Sequence, residues 1–126
     1  MKINSTVLMV GLAILVLGAV ITAGVIKKNA PGEYDRLTQC ITDQGGKIYE
    51  AYWCSACAQQ DELLGSSHRL LNRVECTSPG GVNKENPFDL CPDITGTPTW
   101  EKADGTRETG VKTPEQLAKF FGCAIQ

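Results

Sequence analysis

The sequence holds one histidine, no surplus of positive charge, and no charged residue between Ile3 and Ile26. Each shortage excludes something. Lys2, Lys27 and Lys28 precede residue 29, so residues 29–126 carry nine of the 12 Lys and Arg and all 14 Asp and Glu, a net charge of −5. An acidic domain offers no counter-charge to phosphates, which argues against nucleic acid or an anionic membrane surface as its main partner. The single histidine, His68, belongs to no motif and is expected on an exposed loop. Only one Cys-x-x-Cys occurs, so the paired spacing of a structural zinc site is missing and no metal is assigned. No internal repeat or low-complexity segment is present.

The uncharged stretch comes first in the chain. Its 24 residues from Ile3 to Ile26 are rich in Val, Leu, Ile, Ala and Gly. At about 1.5 Å rise per residue such a helix covers a hydrocarbon core of about 30 Å. It exceeds the roughly 7–15 apolar residues of a secretory signal, and Thr22-Ala23-Gly24 is a poor cleavage site. Residues 1–28 are therefore expected to form an uncleaved single-pass anchor, 29–33 a linker with turn chemistry at Pro31-Gly32, and 34–126 a folded domain. Lys2 on one flank and Lys27 and Lys28 on the other leave orientation undecided by charge. All six cysteines lie in the domain, a density suited to an oxidising compartment, which places the domain on the extracytoplasmic side.

Within the domain, Tyr34, Leu37, Cys40 and Ile41 recur at helical spacing, ended by Gly45-Gly46. Lys47 to Trp53 reads as a strand, near-continuously apolar from Ile48 and suited to a centre buried on both faces. It runs into a helix from Cys54 to about Gly65, with Leu63 and Leu64 on its buried side. Ser66 to Arg69 reads as loop, Leu70 to Cys76 as a second strand, and Phe88, Leu90, Cys91 and Ile94 as a short helical turn. A strand from Trp100, a turn at Ala103-Asp104-Gly105 and a strand at Thr106–Thr109 form a hairpin. Thr113-Pro114-Glu115-Gln116 opens the last helix with a capping box, Leu117, Phe120 and Phe121 give it an apolar face, and Gly122 ends it. The order predicts an α/β fold: a four-stranded mixed sheet with helices on both faces, its first two strands parallel through a right-handed crossover.

The chemistry concentrates at Cys54-Ser-Ala-Cys57. A helix's first turn presents unpaired N–H groups and the positive end of its dipole, which favours a thiolate there. A second cysteine three residues on can attack a mixed disulfide formed by the first. Trp53 stands beside the pair, where an exposed aromatic could meet an unfolded substrate. Three readings follow from the residues: a thiol–disulfide oxidoreductase, a binding module whose disulfides are structural only, and a zinc-binding domain.

Tyr52-Trp-Cys-Ser-Ala-Cys57 together with Gly96-Thr-Pro-Thr-Trp100 resembles thioredoxin-fold proteins. More narrowly, Ile48 to Cys57, Glu75-Cys76, Leu90-Cys91 and Pro98-Thr-Trp100 resemble the thioredoxin-like domain associated with bacterial and archaeal homologues of vitamin K epoxide reductase. The resemblance covers roughly residues 36–123. It implies a membrane-anchored oxidoreductase with Cys54 as attacking and Cys57 as resolving thiol. Pro98 would be a cis-proline, and the Thr97 backbone would pair with an incoming peptide. The clients would be protein thiols and disulfides, with no cofactor in the domain itself. The redox partner would be a quinone-linked integral-membrane oxidoreductase of the vitamin K epoxide reductase type, which makes the domain an oxidant; a membrane-tethered reductase is the alternative. Two departures stand out. The acid that such proteins carry six residues before the first cysteine is replaced by Ile48, with Glu50 nearby, and the turn dipeptide is Ser55-Ala56.

Six cysteines allow many complete pairings. The preferred set is Cys54–Cys57, Cys76–Cys91 and Cys40–Cys123, the last joining the two ends of the domain. Cys76 ends a strand parallel to the one before Cys54 and so shares its sheet edge. Its bond to Cys91 reads either as a staple across the intervening loop or as a second redox pair.

Overall fold

The computed structural model describes residues 4–28 and 30–126. Lys2, the Ile3 end of the apolar run and Asn29 of the linker lie outside the described residues, as do the side chains of residues 26–28. The chain divides into two units, Met1–Ala30 and Pro31–Gln126. The first unit is one helix, α1 (Ser5–Lys28). Its apolar side chains from Val7 to Val25 are exposed within the chain. By length and composition it could cross a membrane.

The second unit builds from short elements: α2 (Asp35–Asp43), β1 (Lys47–Glu50), α3 (Ser55–Leu64), β2 (Arg73–Glu75), β3 (Thr99–Glu101), β4 (Arg107–Thr109) and α4 (Pro114–Phe121). The sheet order is β2-β1-β3-β4. β1 and β2 run parallel, Tyr49 opposite Val74, and the β1–β3 and β3–β4 pairs are antiparallel. This is the expected mixed four-stranded, helix-flanked thioredoxin-like arrangement.

The core forms where α2, α3 and α4 bring apolar residues onto the sheet. Trp100 is fully buried among Leu37, Ile41, Ile48, Leu64, Leu71, Leu117 and Phe121. Gly46 is required by packing. A Cβ there would meet the Ile41 carbonyl oxygen and the Phe121 ring, each at 2.7 Å, so any side chain would push β1 off α4. The last helix follows its sequence signals. Gln116 N–H donates to Thr113 Oγ1 at 3.3 Å, Thr113 N–H donates to Gln116 Oε1 at 2.8 Å, and Gly122 closes the helix at φ 68°.

Several local expectations are corrected. β1 stops at Glu50, three residues short of Trp53, because Cys54 N–H turns back onto the Ala51 carbonyl at 2.9 Å. That turn puts Tyr52 and Trp53 outward rather than inside a sheet. Leu64 is buried, but Leu63 is 38% exposed. Both leucines occupy the last turn of α3, and only one can face the sheet. Gly65–Leu70 is a 3₁₀ helix, not a loop. Buried Ser67 anchors it by accepting the Tyr34 N–H at 3.0 Å, and Arg69 makes two 2.8 Å bonds to Asp35. His68 is accordingly half-buried, its Nδ1 lying 2.8 Å from the Gly65 carbonyl oxygen. The second strand keeps only Arg73–Glu75 of the expected Leu70–Cys76. The helical turn near Cys91 is a run of reverse turns, with Cys91 N–H on Phe88 and Ile94 N–H on Cys91. Pro87 and Pro92, which lack the N–H, prevent a longer helix.

Candidate active site

Cys54 is the N-cap of α3. Its sulfur accepts the Cys57 N–H at 3.1 Å, using one of the donors a helix start leaves unpaired. On the other side Cys54 Sγ lies 3.5 Å from the Thr97 carbonyl oxygen. Thr97 is half-buried, Pro98 is buried, and the bond between them is cis. Gly110 N–H holds the Pro98 carbonyl at 2.8 Å. The fold therefore brings Cys54, Cys57, Thr97 and Pro98, separated by some 40 residues of chain, to one place (the Cys54–Thr97 separation is 43).

Both thiols are free and largely buried. The two sulfurs are unbonded in this structure, the arrangement of the reduced form of the expected Cys54–Cys57 pair. Burial pushes the Cys57 thiol up to about 12, and its hydrogen bond with Cys54 adds to the rise. At neutral pH Cys57 holds its proton, which leaves Cys54 as the thiol placed to react first.

The position six residues before Cys54 is filled by Ile48, packed in the core. Two residues along the same face of β1, Glu50 instead lines a cleft that the Cys pair also lines. That cleft, of about 140 Å³, is lined by Glu50, Ala51, Cys54, Cys57, Asp61 and Arg73, among others. It has room for more than one water, whose liquid volume is about 30 Å³. Arg73 Nε donates to Glu50 Oε1 at 2.7 Å, and its two terminal nitrogens donate to both Asp61 oxygens at 2.9 and 2.8 Å. Glu50 Oε2 is buried with no partner. Burial raises the Glu50 carboxyl above its ordinary value, against the lowering pull of Arg73. The sequence marked Glu50 only by nearness. Arg73 and Asp61 carried no signal, because only the β1–β2 register and the helix turn after Cys57 bring them together.

Trp53 borders the pair on another side. Its Nε1 donates to Thr77 Oγ1 at 2.9 Å, and Thr77 in turn donates to the Pro87 carbonyl at 2.7 Å. The indole stacks on Phe88, with ring centroids 5.7 Å apart at 21°. Phe88 packs against both the Ala51–Cys54–Cys57 cluster and the Cys76–Cys91–Ile94 cluster.

The remaining cysteines are bonded as Cys76–Cys91 and Cys40–Cys123. Cys76 is fully buried and Cys91 nearly so, which closes their sulfurs to an outside thiol without local opening. Cys40–Cys123 joins α2 to the segment after α4, with the Gln44 amide nitrogen 3.3 and 3.4 Å from its sulfurs. Among the described residues no group of three or more His, Cys, Asp and Glu side chains is placed to hold a metal. Two larger clefts, of about 510 and 500 Å³, lie elsewhere and expose no free thiol.

Gln60, on α3, is fully buried. Its amide donates to the Lys112 carbonyl at 2.9 Å and accepts the Lys112 N–H at 2.7 Å, tying the helix that carries the cysteines to the segment after β4. A single polar letter in an otherwise polar stretch gave no hint of this.

No family model matches the chain. A curated protein that it resembles is the thiol-disulfide oxidoreductase LTO1 of Arabidopsis thaliana, 37% identical over 92 residues. The alignment takes in 71% of this chain and 24% of that protein, so the chain spans about a quarter of its relative's length.

Proposed function

We propose that the chain is a membrane-anchored thiol–disulfide oxidoreductase that forms disulfides in client proteins outside the cytoplasm. The observation that carries the reading is the placement of Cys54. It caps α3 with its sulfur on the Cys57 N–H, opposite the Thr97–Pro98 bond, and Cys57 waits protonated behind it. The similarity to a thiol-disulfide oxidoreductase supports the same chemistry. The even set of cysteines supports the compartment, and α1 supplies an apolar segment of membrane-spanning length.

In the oxidised state a client thiolate attacks Cys54 Sγ. A client–Cys54 bond forms, the Cys54–Cys57 bond breaks, and Cys57 leaves and takes up a proton. A second client thiolate then attacks the client sulfur, forming the client disulfide and releasing Cys54. Two electrons pass from the client dithiol to the Cys54–Cys57 pair, giving the dithiol described above. Re-oxidation passes those electrons to a quinone-linked membrane oxidoreductase of the vitamin K epoxide reductase type. Glu50, with its unpaired oxygen in the shared cleft, exchanges the Cys57 proton through cleft water, and Arg73 and Asp61 hold it there. The Thr97 backbone and Trp53 position the client strand.

The test is trapping. Offered a disulfide-bearing peptide, Cys57→Ser attacks it through the Cys54 thiolate and expels one peptide thiolate; with no Cys57 thiol to resolve the adduct in this reverse direction, the mixed disulfide accumulates, while Cys54→Ser forms none. Equal yields from the two variants would leave a binding module with structural disulfides.

A further inference from the structure

The thiol pair accounts for Cys54, Cys57 and their supports, but not for the apolar surface beside them. In residues 31–126 the exposed large apolar side chains are Tyr52, Trp53, Leu63, Val82 and Leu90. Four of the five lie either in the turn before Cys54 or in the loop closed by Cys76–Cys91. Exposed apolar groups gathered in this way mark an interaction surface more often than scattered ones do. Trp53 is 41% exposed and Leu90 55%.

The surface is held in place. The Thr77 hydroxyl pins the Trp53 indole, and Pro87 holds Thr77. Leu90 N–H donates to the Cys76 carbonyl at 3.1 Å, and Phe88 lies stacked on the indole. Asp89, between them, accepts from the Ser78 N–H and hydroxyl, fixing the loop's other strand. A surface ordered beforehand costs little side-chain entropy when covered.

Resting on the proposal that Cys54 exchanges with client cysteines, we infer that Trp53, Phe88 and Leu90 form a docking shelf for the client. The occupant is an extended segment with a bulky apolar side chain within two residues of its cysteine. The reactive bond fixes what lies there. In the mixed disulfide the client sulfur sits about 2.05 Å from Cys54 Sγ. Each further client residue reaches at most about 3.6 Å. Residues one or two places from the client cysteine are therefore within reach of the Trp53–Phe88 stack, whose rings span 5.7 Å between centres and whose Phe88 packs against the Ala51–Cys54–Cys57 cluster. The stapled loop thereby chooses among clients, whereas Cys54 alone would react with any accessible thiol.

The full chain in detergent micelles is given two short dithiol peptides, alike except for Leu or Ser beside one cysteine. Oxidised wild-type protein should oxidise the Leu peptide about tenfold faster in kcat/KM, the scale set by one apolar pocket contact. Phe88→Ala should bring the ratio below about threefold. Should Phe88→Ala fail to fold, Leu90→Ser reads the same ratio, since its side chain is mostly in solvent. Equal wild-type rates for the two peptides, with exchange against glutathione intact, would overturn the shelf and leave the redox reading standing. A preference untouched by both substitutions would also overturn it. So would a flat ratio in a protein that dimerises through Leu90, which would assign the surface to a second copy. Failure to exchange with glutathione or either peptide would end the redox reading, and the shelf with it.

Discussion

Replacing Gln60 by Leu keeps the volume of the buried side chain and removes its amide. The Lys112 N–H and C=O, now bonded to it at 2.7 and 2.9 Å, would both lose their partners. Each buried orphan costs about 1–3 kcal/mol, roughly 2–6 kcal/mol for the two. The leucine returns about 2 kcal/mol by burying apolar surface. A net loss centred near ~2 kcal/mol and no larger than about 4 follows, the central value being roughly 8–16 °C in Tm for a domain of this size. Urea unfolding at constant m-value, compared with Gln60→Glu and wild type, measures it. A loss below about 1 kcal/mol would mean that water reaches Lys112 and that the amide pair is not what seats α3.

Three further outcomes are expected. Removing Cys40–Cys123 by paired Ala substitution should cost about 4.5 kcal/mol in the chain-entropy model and removing Cys76–Cys91 about 3, because the spans are 83 and 15 residues; unfolding curves giving the reverse order would contradict it. Asp35 is held well below the usual carboxylate range, first by its hydrogen bonds to Arg69. Its contribution is fully present above the unfolded value of about 3.9 and lost as pH falls through the folded one, so Asp35→Asn should flatten the acid limb of a stability–pH curve. Glu50→Gln still accepts from Arg73 but takes no proton from Cys57, so in the reverse exchange, the reduced pair acting on a disulfide peptide, attack by Cys57 on the mixed disulfide should slow about a hundredfold at neutral pH. The wild-type rate should fall on acidification from a higher pH than an ordinary carboxylate would give, since Glu50 is raised, and the variant should lack that step.

What the sequence displays best is whatever its neighbours in the chain decide. Thr113 and Gln116 cap α4 through bonds spanning three residues, and Cys54 caps α3 in the same way. The alternation of elements carried the parallel β1–β2 pair and the antiparallel β3–β4 hairpin, because a strand–helix–strand unit makes parallel strands and a short turn antiparallel ones. The rest depends on residues far apart in sequence. Nothing local says that Gln60 is buried, that Ser67 holds Tyr34, or that Arg73 divides itself between Glu50 and Asp61. Leu63 and Leu64 are alike in letter and neighbourhood, and only the seat of α3 separates them. The apolar run through Trp53 suggested a longer strand, and the turn at Ala51 that ends β1 early is also what presents Trp53 to solvent.

The measurement that bears most directly on the account is the redox equilibrium of the Cys54–Cys57 pair with glutathione, read on the full chain by mass after alkylation. A two-electron couple confined to these cysteines and less negative than about −200 mV, toward the −120 mV of strong disulfide donors, is predicted for an oxidant of client proteins. A potential near −270 mV would make the pair a reductant, and a pair that never equilibrates with glutathione would contradict the redox assignment itself.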